Sequence, residues 1–265
     1  MIISVILAVL NGEKYLDRSI KSFLEQDYQD KELIIIDGKS TDNSHSIIEN
    51  YQKQNPHLIK WIKESDQGIS NARNIAIKQA NGDVIGFLGV DDVLHKGFFS
   101  QIKYYHSINS KYDVIYFDGY SISNYLSHYN RASEIPITFR NLYKNPPIAS
   151  GECFYYKKYI FDEFLFNENN KNTMDYEFNV ALAYAHKSFF GVSIPAIFNI
   201  SDDKNISAKM RQIQRLESVV IQFKYAKNLP TKLRIFLYRP KLILRNLLSI
   251  INIAKLLGAG NRLKN

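Results

Sequence analysis

Cysteine is nearly absent from this chain: Cys153 stands alone among 265 residues. One thiol closes no internal disulfide and builds no Cys-based metal site, which suits a reducing cytosol. No apolar run reaches the roughly 18 residues that a membrane-spanning helix requires. The opening Met1 to Leu7 stretch lacks the basic start and small-residue cleavage site of a secretory leader, so it is expected to form a first, buried strand. No internal repeat or low-complexity run occurs.

What is present is a globular composition. Apolar residues make up 45% of the chain and aromatics 13%, mostly 18 Tyr and 16 Phe. That is enough to bury a sizeable core and argues against disorder; most of the rings are expected in that core, with others free to line a sugar or base pocket. The net charge of +8 is unevenly placed. From Lys209 to Asn265 there are 13 Lys and Arg against one acid, Glu217, while the first 208 residues hold 21 basic and 25 acidic ones. A nucleic-acid binder would suit the basic tail, but no reading motif accompanies it and the body is acidic.

The first third alternates short β-rich runs with helical patterns. Strands are expected at Ile2 to Val9, Glu32 to Ile36, Leu58 to Lys63, Asp83 to Leu88 and Asp113 to Phe117. Helices are expected at Tyr15 to Gln26, Asp42 to Tyr51, Ile69 to Ala80 and Lys96 to His106. Such alternation implies right-handed crossovers and a mainly parallel sheet, with ligands beyond the carboxyl ends of its strands. Gly119 to Asn172 is less regular, with one candidate strand at Glu152 to Tyr156. A helix over Asp175 to Lys187 and a strand over Phe189 to Asn199, interrupted at Pro195, follow. The tail reads as helix broken at Pro230 and Pro240.

Polar residues gather where the strands end. Gly86-Phe87-Leu88-Gly89-Val90-Asp91-Asp92 is an apolar strand leaving through two carboxylates, a pair that can share a hard divalent cation bridging a diphosphate. Asp-Asp is equally a common turn or helix-cap sequence. In the run from Glu32 to Asp42, Asp37 stands at a strand exit, able to accept from a base edge or ribose hydroxyl, while Ser40, Thr41 and Asp42 are expected to cap the next helix. Arg73, on the helix into which the polar turn of the Ser65 to Asn74 segment runs, could pair with a diphosphate, though a lone helical Arg is more often a solvated surface residue. His95, His106 and His186 are scattered and read as surface or core residues.

These segments, in this order, resemble the family-2 glycosyltransferases of GT-A fold. The matching strings are Ser4-Val5-Ile6 with Asn11, Ser19-Ile20 through Gln26, Glu32 to Gly38 with Ser40-Thr41-Asp42, Gly68-Ile69 with Ala72-Arg73-Asn74, Gly82-Asp83 with Phe87-Leu88, and Asp91-Asp92. The charge and apolar spacing of residues 209–265 read as a basic amphipathic helical tail; the resemblance implies an α/β GT-A fold, a catalytic domain over residues 1–208 with a nucleotide-sugar half at 1–118 and an acceptor half at 119–208. It implies that Asp37 lies near the nucleoside, Arg73 near the diphosphate, and Asp91 and Asp92 at the ribose and a divalent cation, Mn²⁺ or Mg²⁺, with Asp92 as metal ligand. It implies a general base, for which Asp175 is the matching position; a first-turn helix acid is the plainer reading of that residue. It further implies a donor-covering loop at Ser201 to Ser207, and Glu152 and Cys153 on the acceptor side, where a buried strand entry is an equal reading of these two residues.

The sequence departs from the family pattern in three places. Gly38 replaces a base-reading Asp, Gly89 the first Asp of the fuller Asp-x-Asp-Asp form, and Met174 an acid before the base. The Gln212 to Leu216 string has only a faint likeness to a processive-synthase motif and reads as ordinary helix. The expected activity is inverting transfer of a hexosyl or N-acetylhexosaminyl group from a nucleotide-diphospho-sugar to a glycan or lipid-linked glycan, in polysaccharide, O-antigen or capsule synthesis. The alternative is a binding or assembly protein of the same fold without turnover. No nucleic-acid partner is expected. The tail is expected either to lie on an anionic membrane surface, making the protein cytoplasmic and peripheral, or to pack on the catalytic domain or on a second copy of the chain in a homodimer.

Overall fold

A computed structural model describes residues 1–64, 66–122, 127–130, 136–144, 151–200, 206–226, 229–238, 243 and 246–256. Its first half follows the expected alternation: β1 (Ile3–Ala8), α1 (Glu13–Leu24), β2 (Lys31–Ile36), α2 (Ser44–Gln54), β3 (Ile59–Ile62), α3 (Ile69–Ile77) and β4 (Val84–Leu88). β1 pairs in parallel with β2 and β4, and β2 with β3. Leu33 to Ile36 are all fully buried, because helices covering both faces of a parallel sheet leave its strands no polar side.

The second half comprises β5 (Asp92–Leu94), α4 (Phe98–Ile108), β6 (Val114–Ile122), β7 (Ser127–Asn130), α5 (Phe139–Lys144), a 3-10 turn (Gly151–Cys153), β8 (Phe154–Lys157), α6 (Ile160–Glu163), α7 (Met174–Tyr184) and β9 (Phe189–Ile200). Strand order is β3-β2-β1-β4-β8-β6-β9-β5, with β7 on β6. β8 runs antiparallel to both β4 and β6, so the sheet is mixed. β5, unexpected from its three residues, pairs antiparallel with β9 and sets Asp92 opposite Asn199. Pro195 does not interrupt β9: register shifts around Asp118 absorb it, and pairing with β6 resumes. Bulges are where a strand tolerates a residue without an N–H.

Packing across β4 and β8 is aromatic. The Phe87 ring meets those of Tyr156 at 6.1 Å, Phe161 at 6.3 Å and Phe166 at 5.2 Å, and Phe166 stacks on Phe178 at 4.5 Å. A Cβ on Gly86 would lie 2.3 Å from the Tyr155 ring, so only glycine lets β8 approach there.

The tail forms α8 (Ile206–Tyr225), α9 (Leu229–Tyr238) and α10 (Leu247–Leu256). Pro230 lies in the first turn of α9, where its missing N–H has no helical partner to lose. Val220 and Ile221 of α8 are core residues, and Ile250, Ile253 and Ala254 of α10 pack against the same core. Ile250, Ile253 and Ala254 thus face protein, while Ile251 of the same helix is 44% exposed. Residue 208 falls inside α8.

Candidate active site

The loops after β1 and β2 are stapled by the polar residues expected to cap α2. Ser40 Oγ accepts from the Asn11 N–H at 2.8 Å, the Thr41 N–H donates to Asn11 Oδ1 at 2.9 Å, and Asp42 Oδ2 accepts from the Glu13 N–H at 3.0 Å. α2 starts later, at Ser44, and only Asp42 serves it, accepting from the Ser44 N–H at 3.0 Å. Asp37 is fully buried; its Oδ1 accepts from the Lys39 and Ser40 N–H groups at 3.2 and 3.0 Å and lies 3.4 Å from His45 Nε2. Its Oδ2 is buried without a hydrogen-bond partner, which in a folded protein calls for a donor from elsewhere.

At the end of β4 the chain turns tightly. Asp92 Oδ2 accepts from the Gly89 N–H at 3.1 Å, and Asp92 Oδ1 accepts from Asn199 Nδ2 at 2.8 Å. A Cβ on Gly89 would lie 2.5 Å from Asp92 Oδ2. At the glycine that departs from the family pattern, a side chain would therefore meet the Asp92 carboxylate folded back over it. Asp92 is 1% exposed, and burial, then the charges of Glu152 and Asp91, push its carboxyl well above the usual range. Asp91 is raised as well, by burial first and then by Glu152, with Arg18 pulling the other way.

Arg73 rises from α3 into the interior, 3% exposed. Its guanidinium lies over the rings of Phe87 at 4.7 Å and Phe166 at 5.3 Å. Nη1 donates to Asp175 Oδ1 and Nη2 to Glu152 Oε1, the latter at 3.2 Å. Burial opposes its charge, but Asp175 and Glu152 outweigh that and hold it protonated. Asp175 is in the first turn of α7; burial raises its carboxyl, Arg73 counteracts and Glu152 adds to the rise. A Cβ on Gly151 would fall 2.3 Å from Asp175 Oδ1, so glycine leaves the space the carboxylate occupies.

The structure therefore joins Arg73, Asp175 and Glu152 directly, sets Asp91 and Asp92 within the electrostatic reach of Glu152, and leaves Asp37 on the neighbouring loop. Asn199 is the partner that sequence reasoning missed; no local pattern marks it, because only the β5–β9 pairing brings it to Asp92. Residues 201–205 of the expected donor-covering loop lie outside the described residues. A cleft of about 530 Å³ lined by Asp83, His106, Lys157 and Tyr159 among others opens at the amino ends of β1 and β4, the edge opposite this chemistry.

Among the described residues no three His, Cys, Asp or Glu side chains converge to hold a metal ion. Asp91 and Asp92 are nevertheless adjacent, and both carboxyls are raised by burial first and then by the charge of Glu152. The pair fits a hard cation arriving with a diphosphate, whose oxygens complete the coordination, and does not fit one held by protein alone.

A parallel half-sheet ending in paired carboxylates, joined to a mixed half that brings Glu152 and a helix-borne carboxylate onto Arg73, is the architecture of a GT-A glycosyltransferase. Residues 4–165 match glycosyl transferase family 2, and the chain belongs to that family. An uncharacterized glycosyltransferase of Nostoc sp. is 44% identical over 93 residues, covering 35% of this chain and 29% of the relative. The poly(ribitol-phosphate) beta-N-acetylglucosaminyltransferase TarS of Staphylococcus aureus is 32% identical over 95 residues, covering 35% of this chain and 17% of the relative. The matched stretch thus spans about a third or less of these relatives' length. The crystal structure of S. aureus TarS 1-349 in complex with UDP-GlcNAc superposes with a TM-score of 0.69 over 93% of this chain and 72% of that one, at 17% identity. No helix among the described residues is long and apolar enough to cross a membrane.

Proposed function

We propose that the chain is an inverting transferase that moves a sugar from a nucleotide-diphospho-sugar to the hydroxyl of a glycan or lipid-linked glycan during assembly of a bacterial surface polysaccharide. The observation that carries this reading is the Arg73–Asp175–Glu152 cluster at the same strand edge as Asp91-Asp92. TarS, named for transfer of N-acetylglucosamine to poly(ribitol-phosphate), supports a cell-surface glycopolymer as acceptor.

Asp175 is the base. Burial raises its carboxyl, which strengthens its pull on an acceptor hydroxyl proton, and Arg73 fixes its orientation through Oδ1, leaving Oδ2 for the acceptor. As that proton moves to Asp175, the acceptor oxygen bonds to the anomeric carbon and the bond to the diphosphate breaks; one displacement inverts the configuration. Asp91 and Asp92 would hold a divalent cation, Mn²⁺ or Mg²⁺, which neutralises the departing diphosphate. Asp37 Oδ2, buried and lacking a donor, suits a base N–H or ribose hydroxyl once the 38–41 loop admits it. Arg73 keeps both ends of its guanidinium on carboxylates, so its charge acts on the diphosphate across the cluster and not by direct contact.

Asp92→Ala and Asp175→Asn are each expected to lower transfer at least about a hundredfold with an unchanged circular dichroism spectrum. Near-normal turnover in either variant would remove that residue from its role.

A further inference from the structure

We infer that Glu217, the one acid of the basic tail, is a positioning residue for Asp175. This inference rests on the reading of Asp175 as the base. Glu217 lies on α8 and is 3% exposed. Its Oε1 accepts from Asn172 Nδ2 at 2.6 Å and its Oε2 from Thr173 Oγ1 at 2.8 Å. Thr173 is the N-cap of α7, yet its side chain makes no capping bond to the helix. The hydroxyl that would ordinarily satisfy an N–H of the first turn is turned outward to α8 instead. Asp175 follows two residues later.

Two further contacts make this seam more than a single bond. Gln214 Nε2 donates to the Asn172 carbonyl at 3.2 Å, and Lys224 Nζ donates to Glu177 Oε1 at 2.7 Å. Glu177, also 3% exposed, accepts on its other oxygen from Asn167 Nδ2 at 3.0 Å and Asn170 Nδ2 at 2.9 Å. The loop entering α7 and the helix's first turn are thereby held from α8. A buried carboxylate is costly unless fully bonded, and an apolar residue would pack α8 on α7 at lower cost. What the charge adds is direction: it fixes the rotation of the first turn, hence the aim of Asp175 at Arg73 and at the acceptor.

The test compares wild type, E217A, T173V and E217Q in the full chain. Nucleoside diphosphate release from UDP-glucose, UDP-GlcNAc and GDP-mannose is followed with Mn²⁺, beside thermal melting. E217Q can keep both contacts, its carbonyl accepting from Asn172 and its amide donating to Thr173 Oγ1. E217A and T173V are expected to lower kcat about ten- to a hundredfold while the donor KM stays within about twofold, and E217Q to recover most of the loss. Wild-type kcat in folded E217A or T173V, a loss carried by KM alone, or a loss that E217Q fails to recover would overturn the positioning role and leave the transferase reading intact. A wild type that releases nothing from any of the three donors would overturn the transferase reading first, and this inference with it.

Discussion

Arg73 and Asp175 stand 102 positions apart in sequence and form a direct ion pair beneath the carboxyl edge of the sheet, with Glu152 on the other arm of the same guanidinium. Burial raises the Asp175 carboxyl, Arg73 pulls it down, and Glu152 on the other arm pushes it up again.

That arrangement sets a pH dependence. Asp175 must be ionised to take a proton, and its carboxyl is raised by burial and additionally by Glu152, so kcat/KM should fall as pH drops through a midpoint above the ordinary carboxylate range. Glu152→Gln removes one of the two raising influences and leaves Arg73 in place. The acid limb of the rate profile should then move to lower pH. A limb unmoved, or moved upward, would contradict the electrostatic role of Glu152.

Gly89→Asp restores the family's fuller acidic string and is expected to harm the site. Its Cβ would fall 2.5 Å from Asp92 Oδ2, so Asp92 must leave the Gly89 N–H and its Asn199 partner, and another carboxylate joins an already negative pair. Turnover should drop about tenfold or more, with weaker Mn²⁺ dependence. Titration of activity against Mn²⁺ measures both effects, and tighter Mn²⁺ activation would refute the argument.

His106 governs stability in acid. It is 6% exposed with Nε2 unpartnered, and burial together with the charge of Lys157 lowers it from 6.5 to about 4. Its folded value is depressed, so its stabilising influence is intact above pH 6.5 and is lost as pH falls toward 4, where the unfolded chain binds the proton first. Between pH 7 and pH 5 the loss should be about 2 kcal/mol. Urea midpoints for wild type and His106→Leu check this: the variant's stability should be flatter across that window.

The tail's apolar stripe makes opposite predictions for its two expected uses. Ile250 and Ile253 pack on the core, so Ile250→Ser with Ile253→Ser should lower the melting temperature by a few degrees and leave sedimentation with anionic vesicles unchanged. Loss of sedimentation without loss of stability would favour the membrane surface.

The parallel half of the fold was legible because its signals are local: Leu33 to Ile36 is an unbroken apolar run that ends at Asp37, and Val84 to Leu88 ends at Gly89. The same local rules placed Asp91-Asp92 at a strand exit and Asp175 at a helix start. What the sequence by itself determined is where the charges leave the sheet. Only the tertiary structure decided which of them meet. Arg73 goes to Asp175 and Glu152, Asn199 reaches Asp92 through a three-residue strand, and Glu217 of the tail closes on the entrance to α7. Such pairings depend on sheet order and helix docking between segments far apart in the chain, where no periodicity carries information.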